Sequence, residues 1–308
     1  MLVFVRSRPM HDTNRFRRAA DEIAISQPAV SRHIADLERR LGLQLVAGQA
    51  RRSGLTAGGR YLAEAVLRAE GLLAQAERGI GAFRSEGLAR LTIVASGTPG
   101  TYLVPAVLSE FHAAHQAVEL KVLLATSAGA VEMVRNHTAE IGIVGGFAAS
   151  VEIEASPIVE DEIVVIAAPR ESDRRPLREM LAAATWVSRE EGSATRAALE
   201  AAWSDLGIVP RARLELPSWE AVKLLVARGG AVAACSKLAI EVELRAGALE
   251  VLDLPGWHVR RTISVIRARE APLTPAARAF LHLLVASGGT GDEKPPQAPS
   301  PFVARRSG

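Results

Sequence analysis

The chain has 308 residues, 48% of them apolar, which is enough for two or three compact units with a sizeable core and excludes a disordered chain. No run of eighteen apolar residues occurs, so no membrane-spanning helix is expected, and a single cysteine, Cys235, excludes an internal disulfide and fits a reducing cytosol. The net charge of +3 is unevenly spread: residues 1–60 hold eleven arginines against five acidic residues, about +6, which leaves about −3 for the rest. A basic head on a slightly acidic body is the electrostatic footprint of a nucleic-acid-binding module joined to something else. In Met1–Arg18 the short apolar patch precedes the arginines, the wrong order for a secretory signal.

Phe16, Ala19, Ala20 and Ile23 recur at helical spacing and predict a first short helix. Ser26 reads as the N-cap of a second helix, with Pro28 in its first turn, Val30, Ile34, Leu37 and Leu41 on one face, and Gly42 at its end. Two short helices around a tight turn make a helix-turn-helix, and the pattern alone equally fits an ordinary helical hairpin. Gln27, Pro28, Ser31 and Arg32 sit at the start of the second helix, off its apolar stripe, where a recognition helix meets base edges. Further on, Leu62, Val66, Ala69, Leu73, Ala76, Ile80 and Phe83 alternate steps of four and three, close to a heptad seam. Thr56 can cap this helix, while Gly71, Gly79 and Gly81 weaken it. The seam fits either a paired helix or one folded onto its own domain.

From Leu88 onward strands alternate with helices. Leu91–Ala95, Val118–Leu123 and Ile141–Val144 form a first set, and Ile163–Ala168, Arg213–Leu216, Ala231–Cys235 and Thr262–Ile266 a second. Helices are expected between them at Leu103–His115 and Ala130–Asn136, and a last one opens at Thr274-Pro275. Such alternation predicts parallel sheets covered by helices. Residues 287–308, rich in Gly, Pro and Ser, read as a disordered tail.

The stretch from Arg18 to Gly42, above all Ser26-Gln-Pro-Ala-Val-Ser-Arg32 followed by Leu37-Glu38 and Leu41-Gly42, resembles the DNA-binding region of LysR-type transcriptional regulators. Leu45, the basic pair Arg51-Arg52, Leu55-Thr56 and Gly59 are similar to that family's wing and the start of its linker helix. The resemblance runs from about Phe16 to about Ala286. It implies an α/β protein with an N-terminal winged helix-turn-helix and two Rossmann-like lobes of the type 2 periplasmic-binding-protein kind. The implied division is a DNA-binding head at 1–60, a dimerising linker helix at 61–87 and an effector domain at 88–286. Lobe 1 would comprise 88–163 and 268–286, and lobe 2 would comprise 164–267, with crossings near Val164–Ala168 and Ser264–Ala268. Two segments depart from the family pattern: Arg6–Arg15 contains a helix-breaking Pro9, and Val46-Ala47-Gly48 stands where the wing begins with Phe and Arg.

In open α/β sheets, ligands sit beyond the carboxyl ends of strands, at helix N-termini whose free N–H groups favour anions. Thr98 and Thr101, Thr126 and Ser127, Ser193 and Thr195, and Ser218 all fall at such places and are the expected effector-binding residues. Taken singly, each hydroxyl fits a plain helix cap better; it is the set of them at helix starts that points to a ligand. Arg51 and Arg52 are expected on DNA phosphates. Catalysis has little support. The seven histidines show no metal-ligand spacing, no Gly-x-Ser-x-Gly elbow or phosphate-binding P-loop is present, and Cys235 lies in an apolar run that reads as a small buried strand residue. The Gly142, Gly145, Gly146 set is too loose for a dinucleotide site. No metal or cofactor is expected. The favoured reading is a cytoplasmic, ligand-responsive regulator, a homodimer or homotetramer, with double-stranded operator DNA and a small anionic effector as partners. The alternatives are a small-molecule-binding protein whose DNA-binding head has decayed, and an enzyme on the two-lobed scaffold, which would need a reactive cysteine or a charged pair in the cleft.

Overall fold

The computed structural model describes residues 24–47, 54–81, 90–147, 149–169, 181 and 183–288. The expected first helix, the segment Arg6–Arg15, the Arg51-Arg52 pair, Phe83 and residues 289–308 of the expected tail lie outside these residues.

Helix α1 spans Gln27–Leu41. Ser26 adopts the extended N-cap conformation without a side-chain cap bond, and Pro28 occupies the first turn, where its missing N–H costs nothing. Gly42 ends the helix at φ 64°, a left-handed conformation that a Cβ would strain. Val30 and Ile34 are buried and Leu37 is half-buried, but Leu41, the last residue of the expected stripe, is exposed. Strands β1 (Val46–Ala47) and β2 (Gly54–Leu55) pair antiparallel as a short wing. The Glu38 carboxylate accepts the N–H groups of Leu45 (2.7 Å) and Val46 (3.1 Å) and so ties the wing to α1.

Helix α2 spans Ala57–Gly81. The Thr56 hydroxyl caps it by accepting the Gly59 N–H at 3.0 Å, and donates to the Gln44 carbonyl at 2.7 Å. Along α2, Arg68 pairs with Glu152 at 2.8 Å, and buried Gln75 donates to the Pro272 carbonyl at 2.8 Å. A Cβ on Gly71 would lie 2.0 Å from the Asn136 carbonyl oxygen. The glycine that weakens the isolated helix is therefore what lets α2 lie against the following domain. Of the seam residues, Leu62 and Val66 are half-buried, while Ala69, Leu73, Ala76 and Ile80 are exposed, Leu73 at 66%.

The rest of the chain builds one hydrogen-bonded sheet in the order β4-β3-β5-β11-β6-β9-β7-β8, with β10 on β6. Its strands are β3 (Arg90–Ser96), β4 (Glu119–Ala125), β5 (Ile141–Gly145), β6 (Ile153–Ala167), β7 (Thr185–Ser188), β8 (Ala212–Glu215), β9 (Ala231–Ser236), β10 (Glu250–Leu252) and β11 (Val259–Ala268). The helices between them are α3 (Gly97–Tyr102), α4 (Val104–Ala114), α5 (Ser127–Arg135), α6 (Ala194–Leu206), α7 (Trp219–Ala227), α8 (Glu241–Arg245) and α9 (Pro275–Gly288). The β3–β4, β3–β5, β7–β8 and β7–β9 pairs are parallel, as strand–helix–strand units require. The sheet is not parallel throughout, however: β11 runs antiparallel to β5 and β6, and β6 antiparallel to β9. The physical reason is the return path. The chain leaves one set of strands along β6 and comes back along β11, so these two must oppose each other.

The β6–β11 ladder runs from Ile153↔Ala268 to Ile163↔Val259. At its Ile153 end β11 pairs with β5, and from Ile163 onward β6 pairs with β9. The crossing between lobes is thus a paired ribbon rather than two separate loops. A bulge falls at Ile158, beside Pro157, which has no N–H to give the ladder. Side chains alternate across the sheet, and in the central strands β3, β5 and β9 both faces are buried, while the edge strands β4 and β8 are largely exposed. Leu91, Ile93 and Ile263 face Phe111 of α4 and Phe280 of α9, while Val94, Val144 and Ile266 face Ala130 and Val134 of α5. In the second lobe Ile163 and Val165 pack with Trp186, Leu199 and Trp203, and Val164 and Ile166 pack with Trp219, Val222 and Val226. The Thr274 hydroxyl accepts the Ala277 N–H at 3.2 Å and caps α9 as expected.

Candidate DNA-reading helix and interlobe cleft

At the head, Gln27, Pro28, Ser31 and Arg32 all lie exposed on the first turns of α1, while Val30 and Ile34 are buried; Gln27 stands one heptad before Ile34, so it extends the apolar face at the N-terminal end rather than opposing it. A helix held by its apolar stripe and showing its polar N-terminal residues to solvent can enter a major groove with those residues leading.

The second site is built where strands end and helices begin. Five of the seven expected effector residues, Thr98, Thr126, Ser127, Ser193 and Thr195, line one cavity together with Ser96, Gly97, Arg189, Glu190, Ala194 and Arg261. Thr101 and Ser218 are exposed and do not line it. Ser218 and Ser193 stand at N-cap positions without making a side-chain cap bond, whereas the Thr126 hydroxyl accepts the Gly129 N–H at 3.1 Å. The cavity is about 10 Å³, room for no more than one water sphere.

Two buried guanidinium groups organise this cleft. Arg261 of β11 is cross-strand partner to Asp161 of β6, and its Nε donates to Asp161 Oδ2 at 2.8 Å. The Asp161 side chain is fully buried, and its other oxygen accepts the Ser236 hydroxyl at 2.7 Å. The outer nitrogens of Arg261 also reach hydroxyls: Nη1 donates to the Thr195 oxygen (2.8 Å), and Nη2, which lies 2.8 Å from Asp161 Oδ2, donates to the Thr98 oxygen (3.1 Å). Thr98 begins a helix of the first lobe and Thr195 a helix of the second, so one side chain on the crossing ribbon holds both. The indole N–H of Trp219 also donates to Thr98, at 3.2 Å.

Arg189 follows β7 and is 8% exposed. Its guanidinium lies 5.0 Å from the Trp219 ring centroid and meets Glu190 through two hydrogen bonds of 2.7 and 2.8 Å. A Cβ on Gly97 would stand 2.8 Å from its Nη1, so a side chain there would push the guanidinium aside. Beside the cleft, Tyr102 donates to Glu220 at 3.2 Å, and burial raises its pKa. Burial alone would lower the pKa of the neighbouring Lys223 ammonium; hydrogen bonds to Glu220 (2.8 Å) and Glu243 (2.7 Å) outweigh it and hold the pKa above its ordinary value. Cys235 is fully buried in β9, and burial, with Asp161 nearby, pushes its thiol pKa up, the reverse of an activated nucleophile.

The cleft hydroxyls were legible in the sequence, but Arg189, Glu190, Arg261 and Asp161 were not among the expected site residues. One signal was available for two of them. Asp161 is in phase with Ile163 and Val165, and Arg261 with Ile263 and Val265, which places each charge on an inward strand position.

Two families match this chain. The bacterial regulatory helix-turn-helix protein, lysR family, covers residues 10–60, and the LysR substrate binding domain covers residues 85–288. The chain belongs to the LysR-type transcriptional regulators, a family of DNA-binding regulators with an effector-binding domain. It is 35% identical over 268 residues to the uncharacterized HTH-type transcriptional regulator YeiE of Escherichia coli (strain K12), covering 86% of this chain and 89% of that one. Its fold is similar to the crystal structure of CbnR, a LysR family transcriptional regulator, with TM-score 0.61 and 22% identity over 89% of this chain and 94% of that one. It is also similar to the CcmR regulatory domain of Synechocystis PCC6803 in complex with 2-PG, with TM-score 0.59 and 24% identity over 65% of this chain and 98% of that one. The relatives are named as regulators, and the chain is a regulator rather than an enzyme.

Proposed function

We propose that this regulator senses a small anionic metabolite in the cleft between its lobes, and that occupancy of the cleft changes how paired heads engage an operator. The observation that carries this reading is the convergence of Arg189, Arg261 and five helix-start hydroxyls on one cavity between the lobes. Guanidinium forks and helix N-termini are the groups that bind carboxylates and phosphates best. The similar CcmR regulatory domain is in complex with 2-PG, which supports a small ligand for a domain of this fold. Gln27, Pro28, Ser31 and Arg32 read base edges, and Arg51 and Arg52 contact phosphates. The exposed Leu73 and Ile80 face of α2 pairs with a second copy, giving a homodimer or a tetramer of such dimers. The heads then work at residues 1–60, the linker at 61–87 and the sensing lobes at 88–286, in the cytoplasm where operator DNA lies.

The test is a gel shift on the protein's own upstream region with Arg189→Gln beside the wild type. The variant should bind the operator with unchanged affinity yet lose the change in affinity or footprint that small-anion fractions of a metabolite extract produce. Failure of the wild type to bind DNA would favour the decayed-head alternative. A response kept by the variant would move the effector elsewhere.

A further inference from the structure

The cleft is not merely closed; its anion-binding groups are already occupied by parts of the chain. The Arg189 fork is filled by the Glu190 carboxylate in a bidentate pair. Across the cleft, the N–H of Ala128 in the first turn of α5 donates to the Gly192 carbonyl at 3.3 Å. Glu190 and Gly192 belong to one short turn, Glu190–Ser193, which the N–H of Ser193 closes on the Glu190 carbonyl at 3.2 Å. Gly192 sits at φ 82°, and a Cβ there would stand 3.0 Å from the Thr126 hydroxyl oxygen and 3.4 Å from the Ala128 Cβ. The turn therefore reaches the α5 N-terminus only because residue 192 is glycine. The remaining cavity of about 10 Å³ leaves no space for a metabolite while the turn is in place.

From this, and resting on the proposed sensing role of the cleft, we infer that the Glu190–Ser193 turn is an internal stand-in for the effector. Glu190 supplies the oxyanion and Gly192 the second acceptor, and a ligand binds by displacing both. The stand-in also defines the ligand class. It is a small oxyacid with one anionic group that takes two hydrogen bonds from Arg189 and a further oxygen that accepts the Ala128 N–H. Glu190 can make way because its side chain is 24% exposed and can swing to solvent, where a carboxylate is well hydrated; Arg189, at 8%, stays. A charged competitor held one residue from its arginine sets a threshold. Weak anions lose to Glu190, and only a ligand that satisfies both ends of the site displaces the turn. The effector thus works against a differential contact between the two states, as any switch requires.

The experiment is calorimetric titration of the full-length protein with sodium sulfate at constant ionic strength, comparing wild type, Glu190→Gln, Gly192→Ala and Arg189→Gln. Glu190→Gln removes the competing charge and should tighten sulfate binding about tenfold, about 1.4 kcal/mol. Gly192→Ala, which pushes the turn off α5 without touching any charge, should shift affinity in the same direction. Arg189→Gln should abolish binding. Melting curves confirm that each variant is folded, and the two tightening variants act through different atoms, so a fold defect in one leaves the other decisive. Unchanged or weaker binding by both Glu190→Gln and Gly192→Ala, with Arg189→Gln still abolishing it, overturns the stand-in and leaves the anion cleft intact. Loss of binding on Glu190→Gln alone would mean that Glu190 is itself a ligand contact and overturns the stand-in. Sulfate bound by no variant, or bound equally by Arg189→Gln, overturns both this inference and the reading on which it rests.

Discussion

The head and the cleft use the same kinds of residues in opposite ways. On α1, Gln27, Ser31 and Arg32 stand exposed beside a small apolar stripe, and their charge and hydrogen bonds are met by water. In the cleft, Arg261, Asp161 and Thr195 are buried, and each polar atom that matters is already matched within the chain. An exposed charge contributes little to stability, whereas a buried one is costly unless it is paired. The head can therefore change its contacts at almost no cost to the fold, while the buried Arg261–Asp161 pair cannot lose a partner without destabilising the domain. If the cleft senses a ligand as proposed, binding becomes a rearrangement of these buried polar contacts.

Asp161→Asn attacks that contrast hardest. It leaves the Arg261 guanidinium buried without its countercharge and should destabilise the effector domain by about 3–5 kcal/mol, read as a lower urea midpoint. Combining Asp161→Leu with Arg261→Met should recover much of the loss, because two apolar residues leave no orphaned charge. A single substitution as mild as one on α1 would erase the distinction. Next comes Leu73→Glu on the exposed face of α2. Two carboxylates at a paired seam should weaken association by about 3 kcal/mol in sedimentation, with the melting of the lobes unchanged. Unaltered association would make the exposed face an ordinary surface. Arg32→Ala should cost about 1–3 kcal/mol in operator affinity and leave stability within about 0.5 kcal/mol of wild type. The smallest effect separates two hydroxyls that look alike in sequence. Thr126→Ala removes an observed cap and should cost about 1 kcal/mol, whereas Ser218→Ala, exposed and without a cap bond, should stay within about 0.5 kcal/mol. Equal melting shifts would contradict the geometry.

What could be read from the sequence follows the same divide. Helix α1 was legible from Ser26 to Gly42 because its cap, its proline and its apolar stripe are all local signals. The apolar strands β3, β5 and β9 were legible because both of their faces are buried. The first ten residues of β6, Ile153–Glu162, were missed: Glu154, Pro157, Glu160, Asp161 and Glu162 give them the composition of a loop, and their partner strand lies about a hundred residues away. The strands β7 and β10, four and three residues long, are too short to show a period. The hydroxyls of the cleft were found because helix starts are visible locally. The arginines were missed because Arg189 and Arg261 acquire their meaning only from Glu190's orientation and from the register that sets Arg261 opposite Asp161.

The division of labour between head and cleft is tested most directly by a transcriptional reporter on the protein's own upstream region, read across carbon, nitrogen and sulfur sources for wild type and Arg189→Gln, together with the operator affinity of both purified proteins. The expected result is equal operator affinity and a reporter that responds to nutrient source in the wild type but stays flat in the variant. A variant that responds like the wild type, or that loses operator affinity while its lobes remain folded, would contradict it.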